Sequence, residues 1–221
     1  MTIRIAMFLF PNLTQLDLTA PYEVLTRVPG AEVSLVWKSL ETVTSGTGLR
    51  LLPDATLAEA PPADVLFIPG GNGLTSLLQD REVLEFVRRQ ARSARYVTAV
   101  CTGSLLLGAA GLLEGYRATT HWAYHEFLER CGAIPVRERV VIDRNRITAG
   151  GVTAGIDFAL RLTAELCGEP QARGIQLGLE YDPEPPFDSG TPEHATAELV
   201  RAVLARFAKS KSEYDERLPA R

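Results

Sequence analysis

The residue best placed for covalent chemistry is Cys101, in Val100-Cys101-Thr102-Gly103-Ser104, directly after the apolar run Tyr96-Val-Thr-Ala-Val100 and before a segment, Gly103 to Leu113, with helical apolar spacing. A buried strand that turns sharply into a helix is a nucleophile elbow in outline, and it lifts the turn residue's side chain clear of the sheet. Amides at the start of the helix favour thiolate over thiol, so Cys101 is expected to react at a lower pH than the ordinary cysteine pKa of about 8.5 would allow. The competing reading, a small cysteine packed under the helix, is the commoner fate of a cysteine taken at random. The position at the turn favours the nucleophile.

Pro69-Gly70-Gly71-Asn72-Gly73 follows a second buried run, Asp64 to Ile68, and so falls at the edge where open α/β sheets bind their ligands. Its glycines let backbone approach a bound atom, and the amides of Gly71 and Thr102 together are candidates to hold negative charge developing on a substrate. Alone the loop reads equally well as a tight turn, and it lacks the lysine of a GxxxxGK[ST] phosphate loop. Asp17, between Leu16 and Leu18 just beyond the first strand, is expected at the same edge and partly buried. Burial raises a carboxyl pKa, which would make Asp17 a proton donor near neutral pH; the alternative is a charge placed near a helix N-terminus. Of three histidines, none adjoins Cys101 in sequence; His121 is a candidate to reach the pocket through folding, with Trp122 beside it, while His125 and His194 read as surface residues. Leu16 and Thr19 are further candidates for an apolar pocket.

No HExxH pattern and no CxxC pair occurs, and Cys101, Cys131 and Cys167 are widely spaced. No metal and no disulfide framework is expected, which suits a reducing, cytoplasmic compartment. A net charge of −4 offers no field for a polyanion, so nucleic acid is not expected as a partner. The opening run Ile3 to Phe10 is interrupted by Arg4 and reads as a buried strand rather than a signal sequence. The apolar run Leu105 to Leu113 is far shorter than the ~20 residues of a membrane span.

The elements that must position these residues alternate along the chain: Ile3–Phe10 strand; a helix from a cap at Thr19 with Pro21 in its first turn; Glu32–Trp37 strand; Val43–Leu52 hairpin or edge; Asp64–Ile68 strand; Arg81–Arg92 helix; Tyr96–Val100 strand; the helix after Cys101; Glu126–Arg130 helix; Arg139–Asp143 and Ile147–Ala149 strands; and Ala154–Leu166 helix. Such alternation predicts an α/β fold, a three-layer, flavodoxin-like sandwich around a mostly parallel sheet. Residues 1–221 are expected to form a single domain, with a C-terminal helix from about residue 195 and a charged tail, Lys209 to Arg221, that frays.

AVCTGSLLLGAAGLLEGYRATTHWAYHEFL, the PGGNG loop, the opening LFPNLTQLDLTAPYEVL and AGGVTAGIDFAL together resemble the ThiJ/PfpI superfamily of the class I glutamine-amidotransferase-like fold, over roughly residues 3–182. ATTHW and GGxTAGID narrow the resemblance to two branches, isocyanide hydratases and the amidotransferase-like halves of AraC-type regulators; the opening stretch and EYDPEPPFDSG look most like the former. The resemblance implies a homodimer without cofactor that hydrates isocyanides to N-substituted formamides; a thioimidate on Cys101 is the intermediate expected for such a reaction at a cysteine nucleophile. It matches Asp17 to the acid beside the cysteine, Gly71 and Thr102 to positions whose amides face it, with Gly70 in the same loop, and Gly150 and Gly151 to backbone that closes over it. Thr102 stands where peptidase and glyoxalase-like branches commonly carry histidine. A ligand-sensing domain related to AraC-type regulators, or glyoxalase or deglycase chemistry on small dicarbonyls using His121, are the alternatives.

Overall fold

The structure, a computed structural model, describes residues 2–218. Eleven strands are assigned among them: β1 Ile3–Phe8, β2 Ala31–Trp37, β3 Val43–Thr44, β4 Arg50–Leu51, β5 Ala55–Thr56, β6 Val65–Ile68, β7 Tyr96–Val100, β8 Arg117–Ala118, β9 Ile134–Pro135, β10 Val140–Asp143 and β11 Arg146–Ala149. The α-helices are α1 Gln15–Leu25, α2 Arg81–Ser93, α3 Gly103–Ala109, α4 Ala154–Cys167, α5 Glu169–Gly178 and α6 Ala197–Arg217. Seven strands form the central sheet in the order β10-β11-β7-β6-β1-β2-β5. All its pairings are parallel except β10 with β11.

The middle strands are apolar because both faces are covered. Every residue of β6 and β7 is buried. Phe8 stacks on Phe86 of α2, whereas Phe67 packs against Phe158 of α4. The register sets Met7 beside Phe67, so Phe8 and Phe67 point to opposite faces of the sheet. Helices α2 and α4 therefore cover the two sides, as the alternation of strands and helices predicts.

Several boundaries differ from the sequence reading. Helix α1 begins four residues before the expected cap at Thr19, after Thr14, so Pro21 lies inside it and cannot bond back to the Asp17 carbonyl. Pro21 is tolerated because Gly155 leaves it space: a Cβ there would come within 3.0 Å of its ring. Helix α3 stops at Ala109, well short of Leu113. The helix expected over residues 126–130 is instead two 3-10 turns, Trp122–Phe127 and Glu129–Cys131. Short β5, β8 and β9, a 3-10 turn at Asn72–Leu77 and α5 carried no clear periodic signal.

The largest difference is at the C-terminus. Lys209 to Arg217 do not fray; they complete α6, whose Tyr214 is buried. Leu218 is buried too, and residues 219–221 lie outside the described residues. Thr75 donates to Glu213 at 2.6 Å, Tyr124 and Ser210 share a hydrogen bond of 2.6 Å, and Lys211 pairs with Glu126 at 2.8 Å. Burial of one tyrosine and one leucine outweighs the charged composition.

Gly103 starts α3 so close to β6 that a Cβ would collide with the Ile68 carbonyl oxygen and sit 2.9 Å from that of Pro69. Backbone must move to admit it. Gly103→Ala is therefore expected to cost about 3 kcal/mol of stability, whereas Gly174→Ala in α5, where nothing lies within 4 Å, should be neutral or stabilise by up to about 1 kcal/mol. Urea denaturation of the two variants beside the parent measures both; equal midpoints would contradict the close approach.

Candidate active site

Cys101 has φ 58°, the left-handed region, which costs a residue with a side chain roughly 1–2 kcal/mol. Its N–H lies 3.0 Å from the Ala149 carbonyl and 3.1 Å from that of Gly150, and the Thr120 hydroxyl donates to its carbonyl at 2.7 Å. These bonds hold the strained residue from one side. From the other, β6 delivers Gly70, where a Cβ would lie 2.7 Å from Cys101 Cβ, 2.8 Å from Cys101 Sγ and 2.8 Å from Asp17 Oδ2. The thiol and the carboxylate thus meet over one glycine.

Asp17, in the first turn of α1, is fully buried rather than partly so. Neither of its carboxylate oxygens has a well-formed hydrogen bond among the described residues. Burial pushes its pKa up to about 7, opposed by the Cys101 thiol and the Gly70 amide beside it. Cys101 departs from the sequence reading. Its thiol is not acidified: burial first, then the charge of Asp17, raise its pKa well above the ordinary value. The Thr102 amide and hydroxyl act in the opposite direction without overcoming them, since α3, at seven residues, is a short source of helix dipole. The two groups hold one transferable proton between them.

Gly71 is also differently engaged. It has φ 142°, open only to glycine, and its N–H donates to Thr102 Oγ1 at 3.1 Å, so it supports the Thr102 side chain rather than presenting a free amide. Gly150 gives its carbonyl to Cys101 and its N–H to Arg139. Gly151 faces the sulfur, 3.3 Å from where its Cβ would be, and the His121 ring fills the rest of that space. His121 thus reaches the neighbourhood of the site, with Nδ1 accepting from Ala123 N–H at 3.2 Å. Burial pushes its pKa down to about 4, leaving a neutral ring stacked on Trp122 and edge-on to Phe207.

Trp122 lines a surface groove with His125 and Leu204, while Leu16 and Thr19 line another with Ile156 and Tyr181; these three candidates do not share one pocket. His125 is buried, not exposed, and hydrogen-bonds the Val136 carbonyl at 3.0 Å. His194 is a surface residue paired with Asp188. Cys131 is buried against Gly108, and Cys167 is exposed at the end of α4. A buried residue that sequence reading missed is Tyr214 of α6, packed against Tyr124 and Phe127; its isolation in a charged segment hid it.

The pattern of the DJ-1/PfpI family matches residues 3–165. The chain belongs to the DJ-1/PfpI family. Along its whole length it is 54% identical to an isonitrile hydratase of Pseudomonas putida, covering 98% of that protein. The crystal structure of a ThiJ/PfpI family protein from Pseudomonas syringae superimposes with a TM-score of 0.97 at 43% identity, over 100% of this chain and 92% of that one. A transcriptional regulator of Pseudomonas aeruginosa, GbdR, is 35% identical over 80% of this chain, which spans only 50% of the regulator. Within this DJ-1/PfpI chain, α6 lies beyond the matched family region.

A carboxyl whose folded pKa is about 7 against 3.8 unfolded binds more protons in the folded state between those values. Its stabilisation is complete below the unfolded pKa and is lost as pH rises through about 7. Asp17→Asn removes the buried charge, so the variant should exceed the parent in stability at pH 8 by on the order of 3 kcal/mol, with the gap closing toward pH 4. Thermal unfolding across this range tests it, and parallel pH profiles for the two proteins would show that Asp17 is not buried as a strained acid.

Proposed function

We propose that this chain hydrates isocyanides to N-substituted formamides, with Cys101 as nucleophile and Asp17 as proton carrier. The observation that carries the reading is the Cys101–Asp17 pair closed over Gly70, in a chain 54% identical end to end to an isonitrile hydratase.

In the first step the Asp17 carboxylate takes the thiol proton as Cys101 Sγ bonds to the terminal carbon of R–N≡C. The proton then passes to that same carbon, giving the thioimidate R–N=CH–S and restoring the carboxylate. In the second step a water adds to the thioimidate carbon, giving one proton to the nitrogen by way of Asp17. Breaking of the C–S bond releases R–NH–CHO, and the remaining hydroxyl proton returns to sulfur. Net charge on the pair is the same at the start and end of the cycle, which suits a buried site.

Thr102 directly after the nucleophile, and a His121 whose pKa lies near 4, favour this chemistry over glyoxalase or deglycase reactions that want a basic histidine. The regulator reading is disfavoured because the likeness to the isonitrile hydratase, 54% over the whole chain with α6 included, is higher than the 35% over 80% of the chain shared with the regulator. We take the working form to be a cytoplasmic homodimer free of cofactor, in keeping with three cysteines that form no disulfide with one another. No helix among the described residues is long and apolar enough to cross a membrane.

Cys101→Ala should abolish formamide formation and leave the fold intact, while Cys167→Ser should keep full activity. Asp17→Asn should lose on the order of 10²–10⁴ in kcat, with Asp17→Glu in between, because the longer acid overfills a site already in contact. With the parent, kcat/KM should fall as pH drops below about 7, where Asp17 becomes protonated. Formamide release by chromatography and single-turnover trapping of the thioimidate by mass spectrometry measure these effects. Turnover surviving in Cys101→Ala would overturn the mechanism, and adduct formation at the parental rate in Asp17→Asn would remove Asp17 from it.

A further inference from the structure

The sulfur of Cys101 has a different neighbour on each side. Across Gly70 it faces the Asp17 carboxylate: a Cβ there would lie 2.8 Å from Cys101 Sγ and 2.8 Å from Asp17 Oδ2. Across Gly151 it faces the edge of the His121 ring: a Cβ there would collide with His121 Cδ2 and lie 3.3 Å from Cys101 Sγ. When the carbon of R–N≡C bonds to sulfur and takes its proton from the Asp17 side, its nitrogen and R are directed away from the acid, toward the His121 side.

The segment that carries this ring is locked to the elbow. Ser104 donates to the Thr119 carbonyl at 2.8 Å, and Thr120 donates to the Cys101 carbonyl at 2.7 Å. His121 then contacts three further rings, Trp122 at 5.7 Å between centroids, Tyr124 at 5.8 Å and Phe207 at 5.4 Å, and Phe207 also meets Tyr124 at 5.7 Å. Trp122 and Tyr124 belong to the 3-10 turn that His121 itself caps. Phe207 comes from a separate element, α6, and is only partly buried. Its position is set by Ser210, whose hydroxyl donates to the Phe207 carbonyl at 3.1 Å and bonds the Tyr124 hydroxyl at 2.6 Å.

We propose that Phe207 is a specificity-determining residue: with His121 and Tyr124 it forms an aromatic wall beside Cys101 that receives the substituent R and limits its size. The inference rests on the isocyanide reading of the site and adds which substituents fit. A wall of rings without a formal charge favours an apolar R, because a charged one would lose its water with no partner in exchange. The matched family region, residues 3–165, includes Cys101, Asp17 and His121 but not Phe207. Nucleophile and acid thus lie within the shared pattern, whereas the outer ring of the wall lies in a segment beyond it.

The test is a substituent series in the full-length protein, with methyl, isopropyl and benzyl isocyanide offered to the parent, Phe207→Leu, Phe207→Ala and Phe207→Trp. The ratio of kcat/KM for benzyl over methyl isocyanide should rise about tenfold in Phe207→Ala, rise less in Phe207→Leu and fall in Phe207→Trp, the scale on which fit to an apolar pocket discriminates. Leu204→Ala, one turn earlier on α6 and lining the groove with Trp122, removes a comparable side chain without opening the wall and should leave the ratio unchanged. A second measurement needs no isocyanide: alkylation of Cys101 by N-benzyl iodoacetamide relative to iodoacetamide, mapped by mass spectrometry, should shift in the same direction in each variant. A constant ratio across the three Phe207 variants, or an equal shift in Leu204→Ala, would overturn the proposal. Shifted alkylation in a protein that turns over none of the isocyanides would keep the wall and overturn the substrate reading instead.

Discussion

The site depends on holding Cys101 in a left-handed backbone conformation. A cysteine gains nothing from this geometry by itself, so neighbouring structure must impose it. Here Ala149 at the end of β11 and Gly150 directly after it supply the two carbonyls that face its N–H, and Thr120 ties its carbonyl. Because β7 lies between β6 and β11, the chain leaving each flanking strand must pass close to the sulfur. Glycine occupies each passing point, Gly70 after β6 and Gly151 after β11, while Gly103 lets α3 rise against the end of β6. The glycine pattern around the sheet edge is a consequence of one strained residue.

That geometry also fixes the electrostatics. With Gly70 as the floor, nothing larger than hydrogen separates the thiol from the carboxylate, and burial of both weakens solvent screening between them. Two negative charges cannot coexist there, so the pair keeps a proton. A protein optimised only for stability would replace Asp17 with a neutral residue; its retention as a fully buried acid without a well-formed hydrogen bond is a cost most simply accounted for by chemistry.

Much of this was legible in sequence for identifiable reasons. The central strands are unbroken apolar runs, and the residue types at the elbow are those the turn requires, so the fold, the turn at Cys101 and the glycine loop beside it could be placed from local pattern alone. Asp17 could be placed too, although Pro21 drew the expected helix start downstream of it. What local pattern could not carry was long-range. The bond from Gly71 N–H to Thr102 spans 31 residues, and only folding reveals that this amide is occupied. The environment of Cys101 was misjudged for the same cause: helix position argues for an acidic thiol, but desolvation and a carboxylate from a distant segment decide the outcome. Tyr214 was hidden because a charged run with one aromatic reads as solvated until a partner surface is known.

The raised thiol pKa narrows the chemistry as well as describing the site. An open, acidic thiolate attacks any accessible electrophile and is readily oxidised. A thiol that releases its proton only to an adjacent carboxylate is a poor nucleophile toward substrates that cannot take that proton back. An isocyanide carbon, which forms a bond to sulfur and a bond to hydrogen in one addition, can. The pairing of a reluctant thiol with a reluctant acid therefore selects for substrates that complete their reaction by accepting a proton at the attacked atom, and it disfavours those that need a stable oxyanion, for which the occupied Gly71 amide is poorly disposed.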